Sequence, residues 1–592
     1  MKQEISQLLQ NALTELNIEF QEKQIIISTS NDAKNGDFSC NIAMQLAKKL
    51  QKNPREIANN IIKIIINNKG KTLEKIEIAG PGFLNFFISK DYYAQNLQIF
   101  VNKGENIGKT DRLKNKTFIA EHTDPNLFKE IHIGHVMTNV IGESFYRLAQ
   151  FAGANVKNVT FQGDVGMHIA KALWGIQNIG EELPLKKTPY EKQKFLGKCY
   201  VFGEQNFSAK SIDNKENSAK IEITQINKEI YEIINNPKSN PELTKIYKMG
   251  CEWSLEYLET IYKLLGSKFD HYFLESSTFT DGARIVKENT GKKGKQIFTQ
   301  PEKAIIFEGE KFGYHTRVFI NSEGLPTYEA KDIGLFYKKW EKYNPDYSLT
   351  ITGGDQKEYF TIVKEVAGLI NPEWKEKTMH RAHGILKLKT GKMSSRTGGI
   401  IRAQEWVDEA QKNVLQKIEQ QENSVISMLS QEKKIDISTK IAISAIKYSI
   451  LKVSAGKDIV YDESVALDFS GNTGPYLLYS YIRANSILEK ITNIENIDTS
   501  NLTTRTIEIT ALEKKFSQFE SALEISLQTL SSHNLANYLY DLASEFSSFY
   551  AHTKIADETN PDYVYNIALI KVFKNIMHNG LYCMGIHTVE NM

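Results

Sequence analysis

The chain has 592 residues, of which 41% are hydrophobic, and its formal net charge at pH 7 is +2. This length is enough for about three domains with cores of their own, and the small net charge means that any affinity for nucleic acid must come from local basic patches. The four cysteines form no C-x-x-C pair, which argues against a zinc site and against a disulfide framework. No apolar run approaches the length of a membrane span and no signal sequence is recognisable, so we expect a soluble, cytoplasmic protein.

Residues 1–112 are predicted to form an α+β domain. Apolar residues recur at helical spacing in three stretches, 5–16, 42–50 and 57–66. A strand-like run follows at 80–86, in the sequence Gly-Pro-Gly-Phe-Leu-Asn-Phe.

A strand, a turn and a helix are predicted between residues 117 and 148. Residues 117–123 read as a buried strand, and an apolar-periodic helix begins close to His132-Ile133-Gly134-His135. The free N–H groups and the positive dipole end of such a helix favour a triphosphate. His132 and His135 would donate to phosphate oxygens, and Gly134 would let a base approach the backbone. Taken alone, the same string is more typical of an ordinary surface helix that begins with two histidines.

Residues 113–405 are predicted to form one nucleotide-binding α/β unit. A Lys- and Asn-rich insertion at about 180–265 contains an exposed loop at 235–241, and such insertions decorate a parallel sheet without breaking it. Residues 347–352 read as a further strand, and strand ends are where parallel sheets place ligands.

A strongly basic stretch carries a second motif, Lys392-Met393-Ser394-Ser395-Arg396. Eight lysines and arginines between 375 and 402 outnumber the acids Glu373 and Glu376. Cations gathered in this way can stabilise the charge that develops on a pyrophosphate leaving group. A charge run is also typical of a solvated turn.

Residues 406–592 are predicted to be mostly helical, and one helix opens with Pro475 in its first turn. One face of this helix is apolar, and the other combines aromatic residues with a cation: Tyr476, Tyr479 and Arg483. Such a face can stack on bases and pair with them. Tyrosines that pack against a neighbouring helix are just as common.

The two motifs, in this order, resemble the HIGH and KMSKS signatures of class I aminoacyl-tRNA synthetases, and essentially the whole chain resembles the arginyl-tRNA synthetases. The resemblance implies a class I Rossmann-type parallel sheet in residues 113–405. It also implies an α+β N-terminal domain that binds the tRNA elbow, in 1–112, and an all-α anticodon-binding domain in 406–592. Ser395 stands where KMSKS has its second lysine, and the resemblance assigns compensating charge to Lys129.

The resemblance further implies a site for arginine, whose guanidinium is a planar fork of donors that carboxylates meet well. By the match, Glu121 and Asp332 bind the guanidinium and Tyr328 hydrogen-bonds to it or stacks on it. The α-amino group is assigned to Asn126 and Gln356, and Glu275 is a third acid near the guanidinium. From spacing alone, Tyr328 and Asp332 share one helical face and could form an exposed contact instead.

The implied reaction is ATP-dependent ligation of L-arginine to tRNA(Arg) through an arginyl-adenylate, with release of AMP and pyrophosphate. Catalysis would rest on positioning and electrostatics without a protein nucleophile. Mg²⁺ is expected beside ATP and zinc is not, and we expect a monomer that contacts no membrane. The catalytic residues would be Lys129, His132, His135 and Lys392, and ATP would be bound by His132, Gly134, His135, Lys392, Met393, Ser394 and Arg396.

For tRNA, the resemblance places Phe83 and Asn85 where a base would be stacked and hydrogen-bonded, and Tyr476, Tyr479 and Arg483 in the anticodon-binding domain. Phe83 could equally be core and Asn85 a strand-edge polar residue. Because family members usually need bound tRNA even for the first step, we expect that dependence here.

Three other functions remain open. A class I synthetase for another amino acid would not need Glu121, Tyr328 and Asp332 around a side chain. A tRNA-independent adenylyltransferase or ligase would not need residues 406–592. A non-catalytic RNA-binding relative would have lost the first motif, which is intact.

Overall fold

The computed structural model of the chain describes all residues except 30–32, 69–71, 210–216, 292–295, 390–400, 421–425, 492–498, 500, 501, 503–507 and 590–592. The backbone groups into two compact units. The first unit consists of Met1–Ile107, Arg483–Phe519 and Ser544–Ile576. The second unit consists of Gly108–Ile482, Glu520–Ala543 and Met577–Met592.

The first unit begins with alternating helices and strands. They are α1 (Lys2–Glu15), β1 (Ile27–Thr29), β2 (Phe38–Cys40), α2 (Ile42–Leu50), α3 (Pro54–Asn68), β3 (Leu73–Ala79), β4 (Phe83–Ile88) and α4 (Lys90–Lys103). The three predicted helices and the predicted strand are therefore confirmed.

The sheet of the first unit is antiparallel, with the strand order β1-β2-β4-β3. The apolar faces predicted for α1, α2 and α3 form one core with it, in which Ile5, Leu9, Leu46, Ile61 and Phe86 are buried. Each such side chain contributes about 1.5–3 kcal/mol when it leaves water. The helical periodicity of the sequence therefore marks the core side of this unit.

The second unit opens with strands and helices in alternation. They are β5 (Thr117–Glu121), α5 (Ile133–Phe151), β6 (Asn155–Gln162), α6 (Met167–Asn178), α7 (Pro189–Ser208), α8 (Ser218–Asn235), α9 (Pro241–Leu265), β7 (His271–Leu274), α10 (Glu275–Glu288), β8 (Ile305–Phe307), β9 (Arg317–Ile320), α11 (Tyr328–Tyr343), β10 (Tyr347–Gly353), α12 (Lys357–Ile370), α13 (Pro372–Glu376), β11 (Thr378–His383) and β12 (Leu386–Leu388).

Five of these strands form a parallel sheet with the order β11-β10-β5-β6-β7. The predicted Rossmann-type architecture is confirmed. The carboxyl ends of parallel strands meet along one edge, where open α/β sheets bind ligands. Here that edge is formed by Glu121, Gln162, Leu274 and Gly353. The insertion between β6 and β7 is helical, and the loop between α8 and α9 is exposed as predicted.

The C-terminal part of the chain is mostly helical. Its elements are α14 (Ala403–Glu419), α15 (Gln431–Leu451), β13 (Ile459–Tyr461), α16 (Glu463–Ala466), α17 (Gly474–Glu489), α18 (Ala511–Phe516), α19 (Phe519–Gln528), α20 (His533–His552) and α21 (Tyr563–Cys583). The expectation that residues 406–592 are all helical is wrong at β13, which pairs in parallel with β12. Burial of Ile459 and Tyr461 favours this short strand.

Candidate active site

The two histidines of the first motif cap helix α5. The backbone N–H of Gly134 donates to Nδ1 of His132 (3.1 Å), and the backbone N–H of His132 donates to Nδ1 of His135 (3.3 Å). Because Nδ1 accepts in both rings, the neutral rings carry their protons on Nε2. Both side chains therefore keep one N–H donor available beyond the cap.

Burial keeps these histidines neutral. It lowers the pKa of His132 and lowers that of His135 to about 3, and the positive charge of Lys129 acts in the same direction on both. A Cβ at Gly134 would meet Cε1 of His132 at 2.9 Å. Gly134 is therefore needed for the packing of the His132 ring, in addition to the approach of a base that the sequence predicted.

A cavity of about 1210 Å³ lies at the carboxyl edge of the parallel sheet. Its lining contains the α5 motif and all the residues that were predicted to bind arginine: Glu121, Asn126, His132, Gly134, His135, Glu275, Tyr328, Asp332 and Gln356. Residues that are far apart in the chain thus share one space, which we name the strand-end cavity. Its α5 end consists of His132, Gly134 and His135, and its acidic end consists of Glu121, Asp124, Glu275, Glu329 and Asp332.

Two of the acids in the cavity are bound to buried lysines of helix α11. Lys339 Nζ lies 2.7 Å from Glu121 Oε2, and Lys331 Nζ lies 2.6 Å from Glu275 Oε2. Burial raises the pKa of Glu275, and the charge of Lys331 opposes that rise. The sequence analysis did not find these lysines, although their spacing of eight residues places both on one face of a helix.

Among the described residues, no lysine forms an ion pair with Asp332. Its carboxylate accepts a hydrogen bond from the Tyr359 hydroxyl. Burial raises the pKa of Asp332 to about 7; the bond from Tyr359 opposes the rise, and the charges of Glu121 and Glu275 add to it. Tyr328, four residues earlier on α11, is 54% exposed and presents its ring to the cavity. The predicted pair therefore lines the cavity, and Tyr359 is a partner that the sequence did not indicate.

The residues predicted for the α-amino group lie at two strand ends. Asn126 forms an isolated parallel bridge with Gly163, and a Cβ at Gly163 would meet Asn126 Oδ1 at 2.2 Å. Gln356 ends a short 3-10 turn after β10 and is exposed. The glycine at 163 is therefore required by the position of the Asn126 side chain.

Lys129 and the residues of the second motif were also predicted to act on ATP. Lys129 is half-buried, with Nζ 4.2 Å from the centre of the Tyr200 ring, and it is not among the residues that line the cavity. Lys392, Met393, Ser394 and Arg396 lie outside the residues that the structure describes.

The described residues that follow the second motif form backbone hydrogen bonds and an ion pair with residues in and just before the first motif. The backbone N–H of Ile133 donates to the carbonyl of Ile401 (3.1 Å), and that of Ala403 donates to Ile131 (2.9 Å). Arg402 Nε lies 2.7 Å from Glu130 Oε2. The start of α14 and the start of α5 are thus held together on both sides of His132.

Of the residues predicted to contact the tRNA elbow, Phe83 is 37% exposed and Asn85 is 4% exposed. Strand β4 lies between β2 and β3, so Asn85 is not on an edge strand. The alternative reading of both residues, core for Phe83 and strand edge for Asn85, is therefore wrong. Phe83 is therefore accessible at the surface, whereas Asn85 is buried.

The residues predicted to contact the anticodon have aromatic neighbours. The Tyr476 and Tyr540 ring centres are 5.9 Å apart, and the Arg483 guanidinium lies 4.8 Å from the Tyr550 ring centre. Tyr479 is half-buried. Packing within the protein therefore accounts for part of this helix face.

No described helix is long and apolar enough to cross a membrane. Among the residues that the structure describes, no group of three or more His, Cys, Asp and Glu could hold a metal ion.

Three family models match the chain in sequence. They are the arginyl tRNA synthetase N terminal domain (residues 3–88), the class I (R) tRNA synthetase catalytic domain (96–462) and the DALR anticodon binding domain (477–592). The parallel sheet, the cavity at its edge and the catalytic-domain match define a class I tRNA synthetase. The chain belongs to the arginyl-tRNA synthetase family. Its reaction is the attachment of arginine to tRNA(Arg), and its substrates are arginine, ATP and tRNA.

Relatives of known name agree with this assignment. The chain is 28% identical to an arginine–tRNA ligase of Clostridium botulinum, with all of both chains covered, and 28% identical to that of Fusobacterium nucleatum, with 96% of each covered. The fold is similar to arginyl-tRNA synthetase of Thermus thermophilus (TM-score 0.75, 20% identity, 100% of both chains) and of Plasmodium falciparum (TM-score 0.74, 22% identity, 100% and 99%). The predicted family, fold class and reaction are confirmed.

Proposed function

We propose that arginine and ATP lie side by side in the strand-end cavity and react there to form arginyl-adenylate. One observation carries this proposal. The α5 motif and every residue predicted for arginine line the same space, although the chain brings them from five separate segments. The side chain of arginine would lie at the acidic end and the phosphates of ATP at the α5 end.

At the acidic end, Asp332 would bind the guanidinium. Glu121 would add a second carboxylate whose position is fixed by Lys339, and Glu275 would do the same from its pair with Lys331. The exposed ring of Tyr328 would cover the planar guanidinium. The positive charge of the guanidinium would stabilise the ionised form of Asp332, which is unfavourable while this buried carboxylate has no cationic partner. The same contact would therefore supply binding energy and select for a cation.

At the α5 end, the carboxylate of arginine would attack the α-phosphate of ATP and pyrophosphate would leave. The Nε2–H groups of His132 and His135 would donate to phosphate oxygens, and the positive dipole end of α5 would favour the same negative charge. Lys129, Lys392 and Arg396 would supply positive charge, with Met393 and Ser394 beside the nucleotide. Mg²⁺ that binds together with ATP would add positive charge at the phosphates.

In the second step the 3′-terminal adenosine of tRNA would take the arginyl group and AMP would leave. We assign the tRNA elbow to residues 1–112, where the exposed Phe83 would contact it and the buried Asn85 would act from the same strand. We assign the anticodon to Tyr476, Tyr479 and Arg483 in residues 406–592. We also infer that tRNA must be bound before arginine is activated. We propose that the enzyme acts as a monomer and that it works in the cytoplasm.

The test is ATP–pyrophosphate exchange with each amino acid in turn, with and without total tRNA. We expect exchange with arginine and with no other amino acid, and only when tRNA is present. Exchange with arginine in the absence of tRNA would overturn the dependence on tRNA, and exchange with another amino acid would overturn the assignment of the acidic end. Glu341→Gln is a matched control for variants of Asp332, since Glu341 is an exposed acid on the same helix.

A further inference from the structure

The carboxylates at the acidic end are unevenly paired with cations. Glu121 is bound to Lys339 (2.7 Å), Glu275 to Lys331 (2.6 Å), and Glu329 lies 3.9 Å from Arg317. Among the residues that the structure describes, Asp124 and Asp332 form no ion pair at this end. Within the acidic end, Asp124 and Asp332 are thus the two carboxylates without an ion pair among the described residues.

Asp124 is held in an unusual backbone conformation. Its φ is +40° and that of Thr123 is +78°, in the left-handed region that residues with a side chain rarely adopt. Backbone strain of this kind persists only where the surroundings fix it, and it gathers at functional sites.

Hydrogen bonds to strand β6 fix this conformation. The backbone N–H of Asp124 donates to Thr160 Oγ1 (3.3 Å), and the backbone N–H of Phe161 donates to Asp124 Oδ1 (2.7 Å). Oδ2 has no hydrogen-bond partner among the described residues, and the side chain lines the cavity. The strained turn therefore presents a fixed, half-satisfied carboxylate to whatever the cavity holds.

Arginine brings two cationic groups, the guanidinium and the α-ammonium. The number of unpaired carboxylates at this end is the same. We propose that Asp124 binds the α-ammonium group of arginine and selects for a free α-amino group. This inference rests on the proposed function, which gives Asp332 to the guanidinium.

The surroundings of Asp124 favour such an ion. Burial raises the pKa of Asp124 and the charge of Glu121 adds to the rise, while the bond from the Phe161 N–H and the charge of Lys339 oppose it. An ammonium group beside Oδ2 would stabilise the ionised form of this buried carboxylate. Asn126, two residues later, would then share the α-ammonium with Asp124, so that one turn supplies both a charge and an amide oxygen.

The test compares ligands that differ in one group. Arginine and 5-guanidinopentanoate differ only in the α-amino group, and agmatine keeps the amine but lacks the carboxylate. Affinities are measured as KM or as inhibition of arginine-dependent ATP–pyrophosphate exchange with tRNA present. In the unaltered enzyme, 5-guanidinopentanoate should bind at least about 30-fold more weakly than arginine, as expected when a buried charge pair is lost. Equal binding would overturn the proposal.

The variant Asp124→Asn keeps an oxygen for the Phe161 N–H but removes the charge. We expect its KM for arginine and its inhibition constant for agmatine to rise by about 30-fold or more, with 5-guanidinopentanoate changed by less than about twofold. Asp124→Ser should give the same selective loss, and Glu341→Gln should give none. An equal loss for all three ligands, or no loss, would overturn the role of Asp124.

Failure of the proposed function would look different. In that case the unaltered enzyme would not exchange pyrophosphate with arginine at all, or Asp332→Asn would leave the binding of 5-guanidinopentanoate unchanged. A selective effect of Asp124→Asn, with Asp332→Asn weakening every ligand that carries a guanidinium, supports both assignments together.

Discussion

The two ends of the strand-end cavity handle charge by opposite means. At the α5 end, His132 and His135 are neutral, and the donors that the cap leaves are the Nε2–H groups of the two rings. At the acidic end, Glu121 and Glu275 form buried ion pairs with lysines of one helix. In the proposed function, the first end would meet a ligand whose charge moves during the reaction, and the second would meet a ligand whose charge is permanent.

This difference has a physical reason. Fixed dipoles and N–H donors stabilise charge as it develops without changing their own protonation, which suits a leaving pyrophosphate. The site must instead discriminate between a guanidinium and neutral side chains of similar shape. A desolvated carboxylate does so because leaving it without a cationic partner is energetically unfavourable. Changes at the α5 end should therefore alter rate, and changes at the acidic end should alter affinity for arginine.

The largest effect is expected for His135→Ala. This change removes one N–H donor and the acceptor for the His132 backbone, so the rate of exchange at saturation should fall by about 10²–10³-fold. KM for arginine should change little. His315→Ala, at an exposed histidine, is the control. A raised KM for arginine with an unchanged rate would contradict the division between the two ends.

Asp332→Asn should change KM for arginine rather than the rate of exchange at saturation. Loss of the charge that pairs with the guanidinium should raise KM for arginine by at least about 30-fold, with KM for ATP nearly unchanged. Steady-state exchange kinetics with Glu341→Gln as control measure both. If KM for ATP rose as much as KM for arginine, Asp332 would be a structural residue of the whole cavity.

The pH dependence should separate the ends further. Asp332, with its pKa raised to about 7 by burial, must be ionised to bind the guanidinium, so KM for arginine should rise as pH falls below 7, by up to about tenfold per unit. The rate at saturation should stay flat from pH 8 to 6, because burial lowers the pKa of His135 to about 3. A rate that falls with an apparent pKa between 6 and 7 would mean that a histidine gains a proton in this range.

The smallest effect is expected for Gly163→Ala. The new Cβ would meet Asn126 Oδ1 at 2.2 Å, so Asn126 must move and lose its contact with the α-amino group. KM for arginine should rise by about tenfold at most, the value of one hydrogen bond. In the double variant with Asn126→Ala the two effects should not add. Full additivity would place Gly163 and Asn126 in separate roles.

Much of the α5 end follows from local sequence. The capping contacts of His132 reach only two and three residues along the chain, so the motif itself specifies them. Strand β5 and helix α5 also begin where the apolar pattern predicts. The exception is Gly134, whose need for a bare Cα comes from the His132 ring and was not evident from the string.

The acidic end is predictable only in part. The resemblance indicated Glu121, Glu275 and Asp332 but not Asp124 or Glu329. The lysines that pair with two of the acids were also missed, because a lysine on a charged helix is usually a surface residue. Lys339 pairs with Glu121 across 218 positions and Lys331 with Glu275 across 56, so no local pattern reports either pair. Strand β13 was missed for the same reason, since a strand of three residues is defined by its distant partner.

The most direct test of this account is discrimination between arginine and citrulline, which has the same length and a neutral urea group in place of the guanidinium. We predict that the unaltered enzyme prefers arginine in ATP–pyrophosphate exchange by at least about 1000-fold in kcat/KM, and that Asp332→Asn reduces this preference markedly. An unaltered preference in Asp332→Asn, or comparable use of citrulline by the unaltered enzyme, would contradict the claim that buried carboxylates at the acidic end select the substrate.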